Sequence, residues 1–569
     1  MFQTRPVIMG VHGCVTSSHY LATEAGFEML RAGGNAADAA VAAGLAMHVV
    51  EPQNNGFGGE VPILVYSPSS AKVFAISGQG TAPRKATVEY FEQQRIDLIP
   101  GDGFLPATVC GAFDAWVTLL REFGTMRLSQ VIQPAITLAQ DGFAIYPELY
   151  EHIRDYANRM LNEWPTSAEV FLRNRKVPRV GDIFKQRDIG SMLRKLEEAE
   201  GNHERVKGLN LARDYFYKGP IARRIVAFST THQSKDATGK AHHSLLSEED
   251  FSDYRSRVEE PVNITYKGLR VHKCGPWSQG PVFLQQLRLL EEFDLKDMGH
   301  NSADYIHTVT EAAKLAFADR ERYYGDPLFT DVPLQRLLSR DYAKDRSKLI
   351  TRQASMRLQA GVMSEREDFR ESRHYGDTTH LDVVDSAGNM ISATPSGGWF
   401  FTSPIVEGLG FALGTRAQMF SLKRGHPNCL MPGKRPRTTL TPSMVTVNNK
   451  PFLAFGTPGG DQQDQWTLQF FLNYVEFNMN LQKAIDAPTF HTTHFPSSFY
   501  PRDAHPGRLH VEDRIPASVI RSLRKRGHKV ILENGWANGQ VTAVHFDSRS
   551  RLTSAAASPR VQTPYALGW

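Results

Sequence analysis

The alternation of apolar and polar positions is clearest in the last third of the chain. HLDVVD and NMISATP, separated by SAGN, predict a hairpin between His380 and Pro395. SMVTVNNKPFLAFGTPGG predicts a second, turning at Asn448-Asn449, and VTAVHFDSRSRLTSAAAS a third. TLQFFLNYVEFNMNLQKAIDAP, between them, has the helical spacing. Nearer the start, His19–Val50 reads as two helices divided by Gly33-Gly34-Asn35, the second so rich in alanine that it must be closely buried. EVPILVYSPSSAKVFAIS follows as strand, turn and strand. LSQVIQPAITLAQDGF and SADYIHTVTEAAKLAFADRERYYGDP carry the three-to-four spacing of helices. EEAEGNHERVKG and STTHQSKDATGKAHHS are polar and predict loops, and Gln353–Arg373 is charged and poor in strand formers, which predicts an exposed, mobile segment.

Composition narrows the class. At 569 residues the chain is long enough for three or four domains, but no repeat, low-complexity tract or linker marks a boundary. Its 41% apolar and 22% charged residues are those of a globular protein with an ample core. A net charge of +5 is too small to argue for nucleic acid, and the densest basic stretch, RSLRKRGHK, reads as a solvated helix face. No apolar run reaches membrane-spanning length, and the first residues lack the charged head and apolar core of a signal peptide. Cys14, Cys110, Cys274 and Cys429 form no CxxC pair, which suits a reducing compartment, so the expected location is the cytoplasm.

The candidate chemistry sits at the head of the first hairpin, where Thr378 and Thr379 precede His380. Two threonines opening a strand need no function. A threonine becomes a nucleophile when a base takes its proton, and its own α-amine, with a pKa near 8, is the simplest base. That requires a chain cut between Asp377 and Thr378, at the junction of a loose segment and a strand. Competing motifs are absent. There is no GxSxG or HExxH; GPWSQG has the wrong spacing, GLGFALG misses the dinucleotide fingerprint, and His491 and His494 in HTTH have no partner ligand. No cofactor or metal is expected.

Four stretches together resemble the gamma-glutamyltransferase family of N-terminal-nucleophile hydrolases: AGGNAADAAVA; GTMRLSQVIQPAITLAQDGF; EAAKLAFADRERYYGDP; and GDTTHLDVVDSAGN with GKRPRTTLTPSMV and FGTPGGD. The resemblance implies an α+β fold, an αββα sandwich, formed by a proenzyme that cleaves itself before Thr378. Residues 1–377 would be the large subunit and 378–569 the small one, woven into a single unit. It implies acyl transfer through a Thr378 ester, with Ser396 hydrogen-bonded to the nucleophile and the backbone N–H groups of Gly459 and Gly460 as oxyanion hole. Thr379 and His380 would support the nucleophile, and Thr438 and Thr439 would contact a substrate carboxylate. The partners implied are a small-molecule amide and the two subunits themselves.

Recognition of a glutamyl head departs from the family pattern. Gln79 stands where an arginine is expected three residues before Ala82-Pro83, Gly398 where an asparagine is common, and TRAQMFSL (415–422) carries no acid. Loss of both the cation and the acids argues for an acyl group without a free amine. The substrates to weigh are therefore γ-glutamyl compounds such as glutathione, the family default, against oxamate, glutaryl or cephalosporin-type amides. A homologue that never matures and serves only in binding is the alternative of another class.

Overall fold

The computed structural model describes residues 3–361 and 378–569. Two seven-stranded sheets form its centre. The first contains β1 (Gly13–Ser17), β2 (Val61–Ser67), β3 (Lys72–Gly78), β4 (Leu381–Asp385) and β5 (Met390–Ala393), in the order β1-β4-β5-β2-β3, with Tyr565–Gly568 and Arg257–Glu259 at its edges. The second contains β6 (Ser443–Val447), β7 (Lys450–Gly456), β8 (Thr542–Phe546) and β9 (Thr553–Ala557), in the order β9-β8-β7-β6, with Ile8–Gly10 outside β9 and Leu269–Lys273 then Val262–Tyr266 outside β6. The chain after residue 378 thus supplies the middle of both sheets, and β4 and β5 lie between strands from the first eighty residues.

Strand alternation builds the layers, because successive side chains face opposite sides of a sheet. Val15, Leu381, Val383 and Ile391 face helices α1 (Tyr20–Arg31) and α2 (Ala36–Val50). Cys14, Val384 and Met390 point the other way, onto Met444, Ala454, Val544 and Ala555 of the second sheet. The far side of that sheet, through Val445, Leu453, Phe455 and Ala543, packs on α3 (Gly280–Leu290), α4 (Ala303–Tyr323) and α5 (Gln463–Val475). The result is an α-β-β-α sandwich of mixed α/β class. All fifteen residues of α2 are buried, and Asn35 and Asp38 close a capping box at its start. The Asp385 carboxylate accepts from the N–H groups of Ala36, Ala387 and Asn389, so one side chain fixes both the hairpin turn and the head of α2.

Two predicted loops are largely regular structure. The helix Arg187–Glu200 runs through EEAE, because buried Glu200 accepts from the N–H groups of Leu128 and Ser129, and a new helix starts at Arg205. Helix Pro220–Thr231 extends into STT, and a short hairpin pairs Ser234–Lys235 with Ala241–His242. Of the segment expected to be mobile, residues 353–361 are tied down: Ala354 donates to the Arg526 carbonyl and Gly361 to Asp319. Residues 362–373 lie outside the described residues. Of the basic stretch, residues 521–525 lie in helix α6 (Ala517–Lys525), which buries only Ile520 and Leu523, and His528 beyond it is buried. No helix among the described residues is long and apolar enough to cross a membrane.

Candidate active site

Thr378 is buried at the end of the inter-sheet layer, just before β4, in a single antiparallel bridge with Ser396. Their hydroxyls are 3.2 Å apart. Thr379 turns the other way and is held by the Pro395 carbonyl through both its N–H and its hydroxyl. His380 points between the sheets, with Nδ1 2.9 Å from the Thr394 hydroxyl and Nε2 3.0 Å from Asp382. Asp382 also accepts from Ser392 and from Thr542 of the second sheet. This polar group fixes the floor beneath Thr378. Gly456 of β7 faces His380, and any side chain there would run into the imidazole ring.

The 3.2 Å hydroxyl pair leads to a buried charge pair that the sequence reading missed. Arg416 Nη2 donates to Ser396 Oγ at 2.7 Å, and its Nε lies 2.8 Å from Glu60 Oε1. The same carboxylate oxygen accepts from Thr438 Oγ1 at 2.8 Å. Glu60 and Ser396 also exchange both backbone hydrogen bonds, which locks this constellation to the Thr378 bridge. The guanidinium lies over the Trp399 ring at 4.7 Å and faces Phe499 at 5.7 Å. Trp399 is therefore a wall of the site as well as core. Burial pushes the Glu60 carboxyl above its ordinary range against the pull of Arg416 and Thr438, and pushes Arg416 down against the pull of Glu60. Four polar atoms here have no hydrogen-bond partner among the described residues: Arg416 Nη1, Arg416 Nε, which makes only the ion-pair contact with Glu60, Glu60 Oε2 and the Thr439 hydroxyl.

The cation read from the sequence as lost is thus present, supplied by Arg416 of TRAQ, a stretch read only for its missing acids. The signal for Glu60 was weaker still: an acid directly after Gly58-Gly59 and before an apolar strand. Those glycines are needed because side chains on them would strike the backbone at Ala412 and Ser396–Gly397. Gln79, at the position where arginine was expected, is fully buried and spends its amide on the carbonyls of Trp277 and Pro436. It thereby fixes the segment that carries Thr438 and Thr439. Gly398 has φ +69°, and a side chain there would meet the backbone of Gly58-Gly59. Gly459 and Gly460 have φ of +120° and +56°, and line a cavity of about 180 Å³ together with Asp461, Thr493 and Phe499, the ring that also faces Arg416. Asp377 lies outside the described residues. His491 and His494 do not converge: His491 stacks on His510, and His494 accepts from the Gly507 N–H.

A buried strand-head threonine between two sheets clad by helices is the arrangement of an N-terminal-nucleophile hydrolase. The comparisons give the family. The sequence profile described as Gamma-glutamyltranspeptidase matches residues 22–567, and the chain belongs to that family. It is 32% identical over 554 residues to the glutathione hydrolase-like YwrD proenzyme of Bacillus subtilis, covering 96% of this chain and 97% of that one. The solved structure described as LmbA2991HD superposes with a TM-score of 0.96 at 43% identity over the whole of both chains. A cephalosporin acylase from Bacillus halodurans superposes with a TM-score of 0.86 at 30% identity, covering 100% of this chain and 98% of that one. The chain is accordingly an enzyme of the hydrolase and acyltransferase type, and its relatives do not agree on one substrate.

Proposed function

We propose that the chain cuts itself before Thr378 and then hydrolyses an amide whose acyl part carries a carboxylate close to the carbonyl and no free amine, the oxamate class. The observation that carries this reading is the unpartnered Nη1 of buried Arg416, one hydroxyl removed from Thr378. A buried guanidinium with a free N–H is suited to a carboxylate. Its closeness to the nucleophile favours a short acyl group over an extended glutaryl chain. The freed α-amine of Thr378 takes the proton from Oγ1 as this oxygen attacks the carbonyl carbon. Backbone N–H groups of Gly459 and Gly460 hold the oxyanion, and Ser396 keeps the nucleophile aligned. The C–N bond breaks as the amine leaves with that proton, and water then opens the threonyl ester to release the acid and restore the enzyme. Residues 1–377 and 378–569 remain together as the two subunits.

A second reading is favoured by one observation, the unpartnered Oε2 of Glu60, which suits a substrate ammonium. With Arg416 it would hold a γ-glutamyl head. Oxamate, glutaryl-p-nitroanilide and γ-glutamyl-p-nitroanilide assayed on matured enzyme separate the readings, since the two anilides differ only by the amine. Oxamate is expected to turn over fastest; turnover of the γ-glutamyl anilide at ordinary rates with oxamate inert would overturn the proposal. Maturation is tested separately. Wild-type protein should run as two fragments meeting at Asp377/Thr378, while Thr378→Ala should stay one 63.7 kDa chain with activity down at least about 1,000-fold. A single wild-type band would favour a silent binding homologue.

A further inference from the structure

We infer that His307, Glu311 and His528 form a binding site for one divalent transition-metal ion, remote in function from the acyl chemistry. His307 and Glu311 are four residues apart on α4 and so share one helix face, and His528 approaches from the turn after α6. One nitrogen or oxygen from each of the three lies within 4.8 Å of the others, and all three residues are buried. His307 Nδ1 and His528 Nε2 are 2.8 Å apart. The other nitrogen of His307, Nε2, lies 2.7 Å from the Thr351 carbonyl. A carbonyl only accepts, so Nε2 carries the proton and Nδ1 presents a lone pair toward His528. This is how metal-binding imidazoles are oriented, with the distal N–H on a carbonyl. His528 Nε2 donates to that lone pair when no ion is bound, so binding moves its proton to Nδ1, which is buried without a hydrogen-bond partner among the described residues. Two neutral imidazoles and a carboxylate suit Zn²⁺ or a neighbouring metal at about 2.0–2.2 Å, with further positions open to water. The two nitrogens already have the spacing of cis ligands, and tetrahedral binding needs them to part by about half an ångström.

Lys314 is the competitor. Its ammonium lies 2.6 Å from Glu311 Oε1 and also donates to the Ser355 carbonyl at 2.9 Å. Binding requires it to release Glu311 and keep the carbonyl. The other carboxylate oxygen, Oε2, accepts from the Ser355 N–H. The site therefore joins three parts of the chain: α4, the stretch Thr351–Ser355 that leads toward the proposed cut, and His528 beyond it. An ion here would clip the two sides of that cut together.

The test uses full-length protein stripped with a chelator and titrated with Co²⁺ and then Zn²⁺, followed by visible absorption, metal analysis and thermal melting. One Co²⁺ per chain should bind with d–d absorption, be displaced by Zn²⁺, and raise the melting temperature. His528→Ala and the isosteric Glu311→Gln should each weaken binding by about 100-fold or more, and Lys314→Gln should tighten it. No stoichiometric metal in the wild type, or an affinity indifferent to both Glu311→Gln and His528→Ala, overturns the inference. If His528→Ala does not fold, Glu311→Gln alone decides.

Discussion

Arg320 and Arg416 are both fully buried guanidiniums paired with carboxylates, yet they are finished to different degrees. Arg320 spreads its donors over Asp461, Glu321, Gln279 and the Pro496 carbonyl. Burial lowers its pKa, but Asp461 and Glu321 more than restore it, so the net direction is up. Arg416 has one carboxylate, one hydroxyl and two aromatic faces, and the net direction is down. A buried charge with all its hydrogen bonds made is part of the scaffold. One left incomplete at a candidate site marks a place for a ligand. Arg320 holds Asp461, next to Gly460, and so fixes the glycine turn from behind, while Arg416 stands one hydroxyl away from Thr378.

The contrast can be broken most forcefully at Arg320. Arg320→Met leaves Asp461 buried without its cation and takes from Glu321 one of two arginines, and should cost on the order of 3–5 kcal/mol, read as a large drop in the denaturation midpoint or loss of soluble protein. Arg416→Lys keeps a charge beside Glu60 but loses the planar fork. It should raise KM for oxamate by about 100-fold while the melting temperature shifts by only a few degrees. A scaffold role for Arg416 would reverse that pattern. Ser396→Ala removes the hydroxyl between Arg416 and Thr378, and is expected to lower kcat about 10-fold, consistent with losing one hydrogen bond to a charged group.

An effect confined to acid pH sharpens the scaffold side. Burial pushes Glu321 up, but Arg437 and Arg320 hold it down at about 2 against an ordinary 4.5. A depressed carboxylate contributes stability that is complete above the unfolded value and lost as pH falls toward the folded one. That contribution, on the order of 3 kcal/mol, should disappear between about pH 4.5 and 2. Glu321→Gln should flatten this limb of the stability profile; an unchanged slope in chemical denaturation would remove Glu321 from the network.

Much of the fold was legible because it follows from local periodicity. Alternation marks β4, β5, β6, β7, β8 and β9, and the alanine run marks α2. The first predicted loop failed for a tertiary reason: Glu200 looks like a solvated acid in sequence, but it is the last residue of its helix and its carboxylate is buried on the head of another helix. In the site, Thr378, Ser396 and the glycine pair stood out because motif and strand pattern coincide there. Arg416 did not, because nothing local distinguishes an arginine in TRAQMFSL from a surface one.

The sequence by itself determined the family, the nucleophile candidate and the hairpin that carries it, since each is written in contiguous residues whose period or motif is set by backbone geometry. Only the tertiary structure decided which charges meet that nucleophile. Glu60 reaches Thr438 across 378 positions of chain, and Arg416 joins them from 20 positions beyond Ser396. Burial then sets what such a pair does, because a charge removed from water must find every partner within the fold or leave an atom for a ligand.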